Sequence, residues 1–256
     1  MRKAMFKVVW RSFFLQAGWN FERMQNLGFA WSMQPALKEI YPDKNRRLDV
    51  LKRHLELFNT HPYMATLLMG CVLKTERESA ELRIDAAARV GAIKQAMTGP
   101  LAAIGDTLFW ATLRPLAALS AAALAWMAPG LGTLAPVMIY LGIFNLPHLT
   151  IRFSGLFQGY ALGPAVAEYL RKTDTQGVIA AFRLAAMILL GSVLAAFGRF
   201  EHIASRAPMP FKDNFLFVGA GLGMLMAMRL KFSVNKLFFG LCLAALSISL
   251  MFPNTH

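Results

Sequence analysis

The chain has 256 residues, of which 56% are hydrophobic and only 16% are charged, and its mean hydropathy is +0.44. This composition excludes an ordinary soluble domain and is typical of a membrane protein. The net charge of +13 does not indicate a nucleic-acid-binding protein, because no soluble basic face with aromatic or helical readout elements is evident. The basic residues lie in the N-terminal stretch and between apolar runs, where we expect them to face the cytoplasm or anionic lipid headgroups.

The sequence indicates neither a metal site nor a cofactor. Cys71 and Cys242 lie far apart within apolar runs, a pattern typical of buried packing residues. His54, His148 and His202 show no ligand spacing. The N-terminal apolar stretch is interrupted by a basic residue and lacks small residues at a cleavage site, so it does not indicate a signal peptide.

Residues 1 to 98 are predicted to form amphipathic helices in the cytoplasm or at the membrane interface, because charges break every long apolar run. The first predicted helix has an apolar face that runs from Phe14 to Trp31. This face could lie at the membrane surface or against a partner protein, and burial within the chain's own fold is an equally good interpretation. A second helix is predicted to end before Pro62. The run from 64 to 73 is too short to span a membrane and indicates a re-entrant or core helix. The charged stretch from 74 to 90 predicts a solvated helix.

Residues 99 to 256 are predicted to form the membrane-spanning region of an all-α integral membrane protein. Basic residues between the apolar runs place the N-terminus in the cytoplasm and the C-terminus outside. About five spans are expected, at 107–127, 132–151, 178–197, 214–228 and 234–252.

Glycines at helical spacing predict a close approach between helices. Gly155, Gly159 and Gly163 fall on one helical face, and Gly219 with Gly223 repeats the spacing.

Three polar segments interrupt apolar sequence, at 16–26, 58–63 and 99–110. An unpaired polar group is costly in such surroundings, so these segments indicate structural partners or a ligand. Amides, carboxylates and an aromatic platform are the groups that bind a carbohydrate. The candidate substrate-binding residues are Asn20, Gln25, Asn59, His61, Asp106 and Trp110.

Each of the main candidates also has a structural interpretation. Asp106 could cap the N-terminus of a spanning helix, and His61 could be a satisfied structural donor beside a helix end. Arg114 is expected to pair with Asp106 or another acid, since charges within a membrane usually pair. We expect no catalytic residue, because the chain has no nucleophile elbow, no phosphate loop and no cysteine in an electropositive setting.

Four sequence motifs carry a resemblance to a known family. They are QAGWNFERMQNLGF at 16–29, KRHLELFNTHPYMA at 52–65, GPLAAIGDTLFWATLRP at 99–115 and FNLPHLTIRF at 144–153. With these motifs in order over roughly residues 10 to 165, the chain resembles the IID subunits of the mannose/fructose/sorbose family of the bacterial phosphotransferase system. The chain departs from that pattern after residue 165, where its loop at 198–213 is short, and at Ala103 and Ala111, where the family usually has glycine.

The resemblance implies a nonenzymatic, elevator-type translocation subunit of the bacterial inner membrane. It implies partnership with a IIC membrane subunit, larger oligomers with IIC, and cytoplasmic IIA and IIB proteins, or a fused IIAB protein, that phosphorylate a hexose or amino sugar as it enters. The sequence does not identify the sugar. An alternative is a membrane scaffold or receptor that keeps this fold but does not transport.

Overall fold

The computed structural model describes the backbone of residues 1 to 205 and the side chains of residues 1 to 191. The spans predicted at 214–228 and 234–252, and the glycine pair Gly219 and Gly223, lie outside the described residues. Residues 1 to 193 form one compact unit. In the part that is described, the chain is helical and has no strand, with only two isolated bridges, Asn20 with Met24 and Met24 with Phe58.

Nine α-helices are present among residues 1 to 205. An eight-residue π-helix, Asp106–Leu113, joins α5 to α6 without a break, and short 3-10 turns lie at Pro129–Leu131 and Gly163–Ala165. The helices are α1 (Arg2–Ser12), α2 (Asn26–Ile40), α3 (Lys44–Arg53), α4 (Ala65–Glu81), α5 (Ala87–Gly105), α6 (Arg114–Met127), α7 (Leu134–Leu162), α8 (Val166–Lys172) and α9 (Thr175–Ser205).

The sequence predicts one continuous first helix, and this prediction is wrong. Between α1 and α2 the chain instead makes a series of turns. Asn20 accepts a hydrogen bond from the backbone N–H of Arg23 at 2.8 Å, and Met24 adopts a positive φ of 57°. A short polar side chain that bonds nearby backbone in this way favours a turn over a helix. The face predicted from Phe14 to Trp31 is therefore divided between these turns and α2.

The core of the described unit is α4, whose residues from Ala65 to Leu73 are all buried. It crosses α7 at very short distance, because a β-carbon on Gly159 would lie 2.0 Å from the carbonyl oxygen of Leu67, and one on Gly70 would lie 2.1 Å from that of Leu156. The close helix approach predicted from Gly155, Gly159 and Gly163 is confirmed for the first two glycines, whereas Gly163 lies just after α7, in a 3-10 turn with a positive φ of 55°. The run from 64 to 73 is thus part of a core helix.

The charged stretch after this run matches the predicted solvated helix only in part. Most side chains from 81 to 89 are exposed, but α4 ends at Glu81 and the start of the stretch enters the core. Glu76 is fully buried, and its carboxylate accepts a hydrogen bond of 2.8 Å from the Tyr41 hydroxyl. The other carboxylate oxygen lies 3.1 Å from Nε2 of His54 and 3.5 Å from Nε of Arg53. Arg53 also pairs with Asp85 at 2.8 Å, so this buried group ties α3 to α4 and to the start of α5.

Burial and charge set the ionisation of this group. Burial alone would raise the pKa of Glu76, but its contacts with His54, Arg53 and Tyr41 lower it overall. Burial lowers the pKa of His54 despite the carboxylate beside it. The result is a buried carboxylate balanced by Arg53, next to a neutral imidazole.

Among the described residues, two helical stretches are long and apolar enough to cross a membrane. They are Ala87–Met127, with 41 residues, and Leu134–Lys172, with 39 residues. The span predicted at 107–127 lies within the first stretch, which begins much earlier than predicted. The span predicted at 132–151 overlaps the second stretch from Leu134 onwards, and that stretch ends later than predicted. The predicted domain boundary after residue 98 falls inside α5.

Candidate functional site

The first two polar segments are joined by a two-way amide contact. Gln25 donates through Nε2 to the carbonyl of Thr60 at 2.9 Å and accepts from the Thr60 N–H at 3.1 Å. The Gln25 N–H also donates to the carbonyl of Phe58 at 2.9 Å. The hydroxyl of Thr60 in turn donates to the carbonyl of Thr98 on α5 at 2.9 Å. Gln25 is only 2% exposed and holds the second segment in place.

Asn20 and Asn59 lie apart from each other. Asn20 donates to the side-chain oxygen of Asn26 at 3.0 Å and stabilises the turn before α2. Asn59 is exposed and lines a cleft of about 460 Å³ with Lys94 and Gln95 of α5. This is a different set of residues from the one that surrounds His61.

His61 and Trp110 come together in a group of rings that we call the aromatic cluster. His61 stacks on Phe109 with centroids 5.1 Å apart and an interplanar angle of 14°, and it lies 5.2 Å from Trp110. Three parts of the chain supply the rings: the segment before α4, the π-helix and α7. The members of the aromatic cluster are His61, Tyr63, Phe109, Trp110, Phe144 and His148.

The π-helix places two neighbouring rings in this cluster. Thr112 donates its hydroxyl to the carbonyl of Thr107 at 2.7 Å, five residues back along the wider turn. Phe109 is fully buried, whereas Trp110 is 39% exposed. Because π-helical turns are rare and often lie at functional sites, this segment marks the third polar segment as a candidate site.

Asp106 does not cap a helix, which corrects one of its two predicted roles. A cap requires a helix end with free N–H groups, but Asp106 lies within the continuous helical stretch, with φ −62° and ψ −42°. Its side chain is exposed at the first residue of the π-helix. Nor does Arg114 pair with Asp106 or with another acid within 4.0 Å in the described structure, and its guanidinium lies 5.8 Å from the centroid of the Trp110 ring.

Arg152 of α7 is a member of the site that we did not single out from the sequence. It is only 3% exposed, and its guanidinium lies 4.5 Å from the Phe13 ring and 5.3 Å from the Tyr63 ring. It donates to the hydroxyl of Ser12 at 2.9 Å and has no acidic partner among the described residues. Arg152 could have been identified from the sequence, because it is a basic residue within an apolar run and lies four positions after His148.

Three buried nitrogen atoms around the aromatic cluster have no hydrogen-bond partner in the part of the chain described here. They are His61 Nε2, His148 Nδ1 and Arg152 Nε. Buried polar atoms are normally satisfied by protein, water or a ligand. The aromatic cluster therefore offers unpaired polar atoms beside ring faces, the combination that a small polar ligand requires.

The protonation of His61 follows from its surroundings. Burial lowers its pKa to about 4, with smaller contributions from Arg152 and His148. Nδ1 accepts the N–H of Tyr63 at 3.3 Å. At neutral pH the remaining proton is thus on Nε2, which can donate to a hydroxyl group.

These features define a helical membrane protein with a polar and aromatic site between its apolar helices. The family model described as "PTS system mannose/fructose/sorbose family IID component" matches residues 1–252. The chain belongs to this family, and the resemblance seen in its motifs is confirmed.

Relatives from several bacteria agree. The mannose-specific EIID component of Escherichia coli strain K12 is 38% identical over 186 residues, which cover 70% of this chain and 64% of that protein. The fructose permease IID component of Bacillus subtilis strain 168 is 33% identical over 196 residues, or 76% of this chain and 69% of that protein. The match thus spans just under two thirds of the mannose-specific relative.

Two solved structures are similar over almost their whole length. A chain of the mannose transporter ManYZ in complex with microcin E492 is 26% identical, with a TM-score of 0.59 and coverage of 96% of this chain and 95% of that one. A second structure, described as a membrane protein, is 28% identical, with a TM-score of 0.72 and 96% coverage of both chains.

Proposed function

We propose that the chain is the translocation subunit, IID, of a mannose-family permease that imports a hexose or amino sugar. The observation that carries the proposal is the aromatic cluster, which three of the family motifs build around unpaired buried nitrogens. Trp110 offers an accessible ring on which the C–H face of a sugar can stack. His61 offers a directed N–H for a sugar hydroxyl.

The other candidate residues have supporting roles in this proposal. Gln25 positions the segment that carries His61 through its bonds to Thr60, and Asn20 stabilises the turn before α2 through its bond to Asn26. Asp106 and Asn59 are exposed, and they would contact either the sugar along its path or the IIC subunit. Arg114 stays beside Trp110 and favours one orientation of that ring.

Partners complete the proposed activity. The relatives are named as components of phosphotransferase-system permeases, and one similar solved structure is a chain of the mannose transporter ManYZ. In keeping with the family resemblance, we propose that a IIC membrane subunit accompanies this chain and that IIA and IIB proteins phosphorylate the sugar. The chain itself is then not an enzyme. We further propose an inner-membrane protein with about five spans, a cytoplasmic N-terminus, an outer C-terminus and an elevator-type movement in a larger oligomer with IIC.

The test is sugar uptake that depends on phosphoenolpyruvate in cells that express this chain with its IIC, IIA and IIB partners. Trp110→Ala should lower uptake by up to about tenfold, because the stacking that a ring provides is lost from the site, while the amount of assembled complex stays unchanged. Trp10→Ala is the matched control, since Trp10 is 68% exposed and lies outside the aromatic cluster. Its uptake should be that of the unmodified chain.

Two outcomes would contradict the proposal. Uptake that continues after deletion of this subunit would exclude a role in translocation. Normal uptake by both Trp110→Ala and His61→Phe would favour a membrane scaffold or receptor that keeps the fold without handling the sugar.

A further inference from the structure

A strongly basic cleft lies between α1, α2 and the start of α3, away from the aromatic cluster. Its volume is about 790 Å³. Five basic side chains and a single acid line it, namely Lys3, Lys7, Arg11, Lys38, Arg47 and Glu39. Lys3, Lys7 and Arg11 are spaced four residues apart, so α1 presents all three on one face.

The positive charge of this cleft is not balanced by acids. Glu39 pairs with the amino group of Met1. Arg11 donates to the carbonyl of Trp31 and to the side-chain oxygen of Gln34, both at 3.1 Å, and these acceptors are neutral. Such bonds orient a guanidinium without cancelling its charge.

The charges of the other basic residues in the cleft are not balanced by acids either. Arg47 donates to the carbonyls of Tyr41 at 2.9 Å and Pro42 at 3.0 Å. Within the described residues Lys3, Lys7 and Lys38 form no ion pair. Three exposed ammonium groups therefore share one concave site with two fixed guanidinium groups.

Another face of α1 is aromatic and rests on a membrane-capable helix. Phe6 lies 5.2 Å from Phe157 of α7, and Phe13 lies 6.4 Å from Phe153. Trp10, on the same face as these phenylalanines, is 68% exposed. A helix with basic and aromatic faces beside a membrane span is typical of the lipid interface, where phosphate groups are concentrated.

We propose that this basic cleft binds a phosphate-bearing anion, supplied either by the headgroup of an anionic phospholipid or by a soluble phosphate compound. Lysine and arginine donate short charge-assisted hydrogen bonds to phosphate oxygens. The concave shape lets several of them reach one phosphate group at once. The aromatic face of α1 favours the phospholipid as the source.

The experiment measures lipid binding by native mass spectrometry on the full chain, purified in detergent with its membrane partner. Phosphatidylglycerol is titrated against phosphatidylcholine, and inorganic phosphate is titrated separately. The test variant is Lys7→Gln with Lys38→Gln, and the matched control is Arg2→Gln with Lys44→Gln, which removes two equally exposed charges outside the cleft.

Phosphatidylglycerol should bind the test variant about twenty-fivefold more weakly than the unmodified chain, since each of the two basic residues contributes roughly fivefold near a membrane surface. The control should change the affinity less than about threefold. Lys7→Arg with Lys38→Arg should restore binding, which separates loss of charge from a folding defect.

The two sources give different results. Preference for phosphatidylglycerol, with no competition from millimolar inorganic phosphate, identifies the lipid headgroup. Binding of inorganic phosphate that is lost in the test variant, with equal binding of both lipids, identifies a soluble anion. Equal phosphatidylglycerol affinity in test and control variants, together with no phosphate binding, would overturn the proposal.

Discussion

Gly105 lies directly against the imidazole of His61, so that a β-carbon at position 105 would come within 2.3 Å of both Cβ and Cγ of the histidine. Gly105 is the last residue of α5 before the π-helix begins. The contact therefore sets the distance between the segment that carries His61 and the one that carries Phe109 and Trp110. The aromatic cluster depends on the absence of a side chain at this position.

Gly105→Ala should separate these two segments. We expect it to destabilise the protein by about 1–3 kcal/mol, the usual cost of overpacking, and to lower sugar uptake with it. Thermal unfolding of the detergent-purified protein provides the measurement. Gly91→Ala on the same helix is the control, because nothing lies within 4 Å of a β-carbon there, and it should be neutral or stabilise by up to about 1 kcal/mol. Equal unfolding temperatures for the two variants would contradict the prediction.

Gly159→Ala should be more harmful than Gly105→Ala. Its β-carbon would meet the backbone oxygen of Leu67 at 2.0 Å, and backbone cannot move aside as a side-chain tip can. We expect a cost of about 3 kcal/mol or more from forcing α4 and α7 apart. Resistance of the purified protein to proteolysis should fall accordingly. Gly142→Ala, also on α7 but with open space around it, should resist proteolysis like the unmodified chain.

Ser12→Ala should destabilise the protein through Arg152. The change removes the acceptor for a buried guanidinium and leaves that donor unpaired, which costs about 1–3 kcal/mol. Ser154→Ala is the comparison, because Ser154 is only half-buried and its hydroxyl donates to the carbonyl of Thr150 on its own helix. If chemical denaturation gives the same free energy of unfolding for both variants, the Ser12 contact has no energetic role.

Acid should destabilise the protein, in part through His54. Burial holds the pKa of His54 below its ordinary 6.5 and that of His61 at about 4, so each histidine takes up a proton more readily in the unfolded chain. Their contribution to stability is complete above pH 6.5 and is lost as the pH falls towards the folded-state pKa. The slope is at most about 1.4 kcal/mol per pH unit for each histidine.

The contribution of His54 can be isolated by mutation. Unfolding of His54→Gln should depend less on pH between 7 and 5 than that of the unmodified chain. Glu76 does not confound this window, because its lowered pKa places its own loss of stability below the ordinary pKa of a glutamate, about 4.3. An unchanged pH dependence in His54→Gln would show that the imidazole takes up a proton equally readily in the folded and unfolded chains, which would contradict the prediction.

Periodicity and composition predict the features that depend on local pattern. The spacing of Gly155 and Gly159 anticipates the crossing of α4 and α7, since small residues on one face allow close helix approach. Two of the polar segments contain His61 and Trp110, which lie 5.2 Å apart in the structure, but the sequence alone does not predict that these two rings meet.

Features that depend on contacts between distant segments could not be predicted in this way. Glu76 looks like part of a solvated charge run, and only the approach of Tyr41 and His54 reveals why it is buried. The π-helix likewise has no simple sequence signal, because Gly-Asp-Thr before an apolar run reads equally well as a helix start. Arg152 becomes interpretable only once Ser12 and the Phe13 ring are seen beside it.

The bond between Ser12 and Arg152 joins residues that are 140 positions apart in the chain. A ribosome adds about 5–20 residues per second, so Arg152 is synthesised roughly 7 to 28 seconds after Ser12. During that interval the guanidinium-binding side of α1 is unoccupied. Docking of α1 on α7 is therefore a late event of biogenesis, and the aromatic cluster next to Arg152 is completed only after both membrane-capable helices have been synthesised.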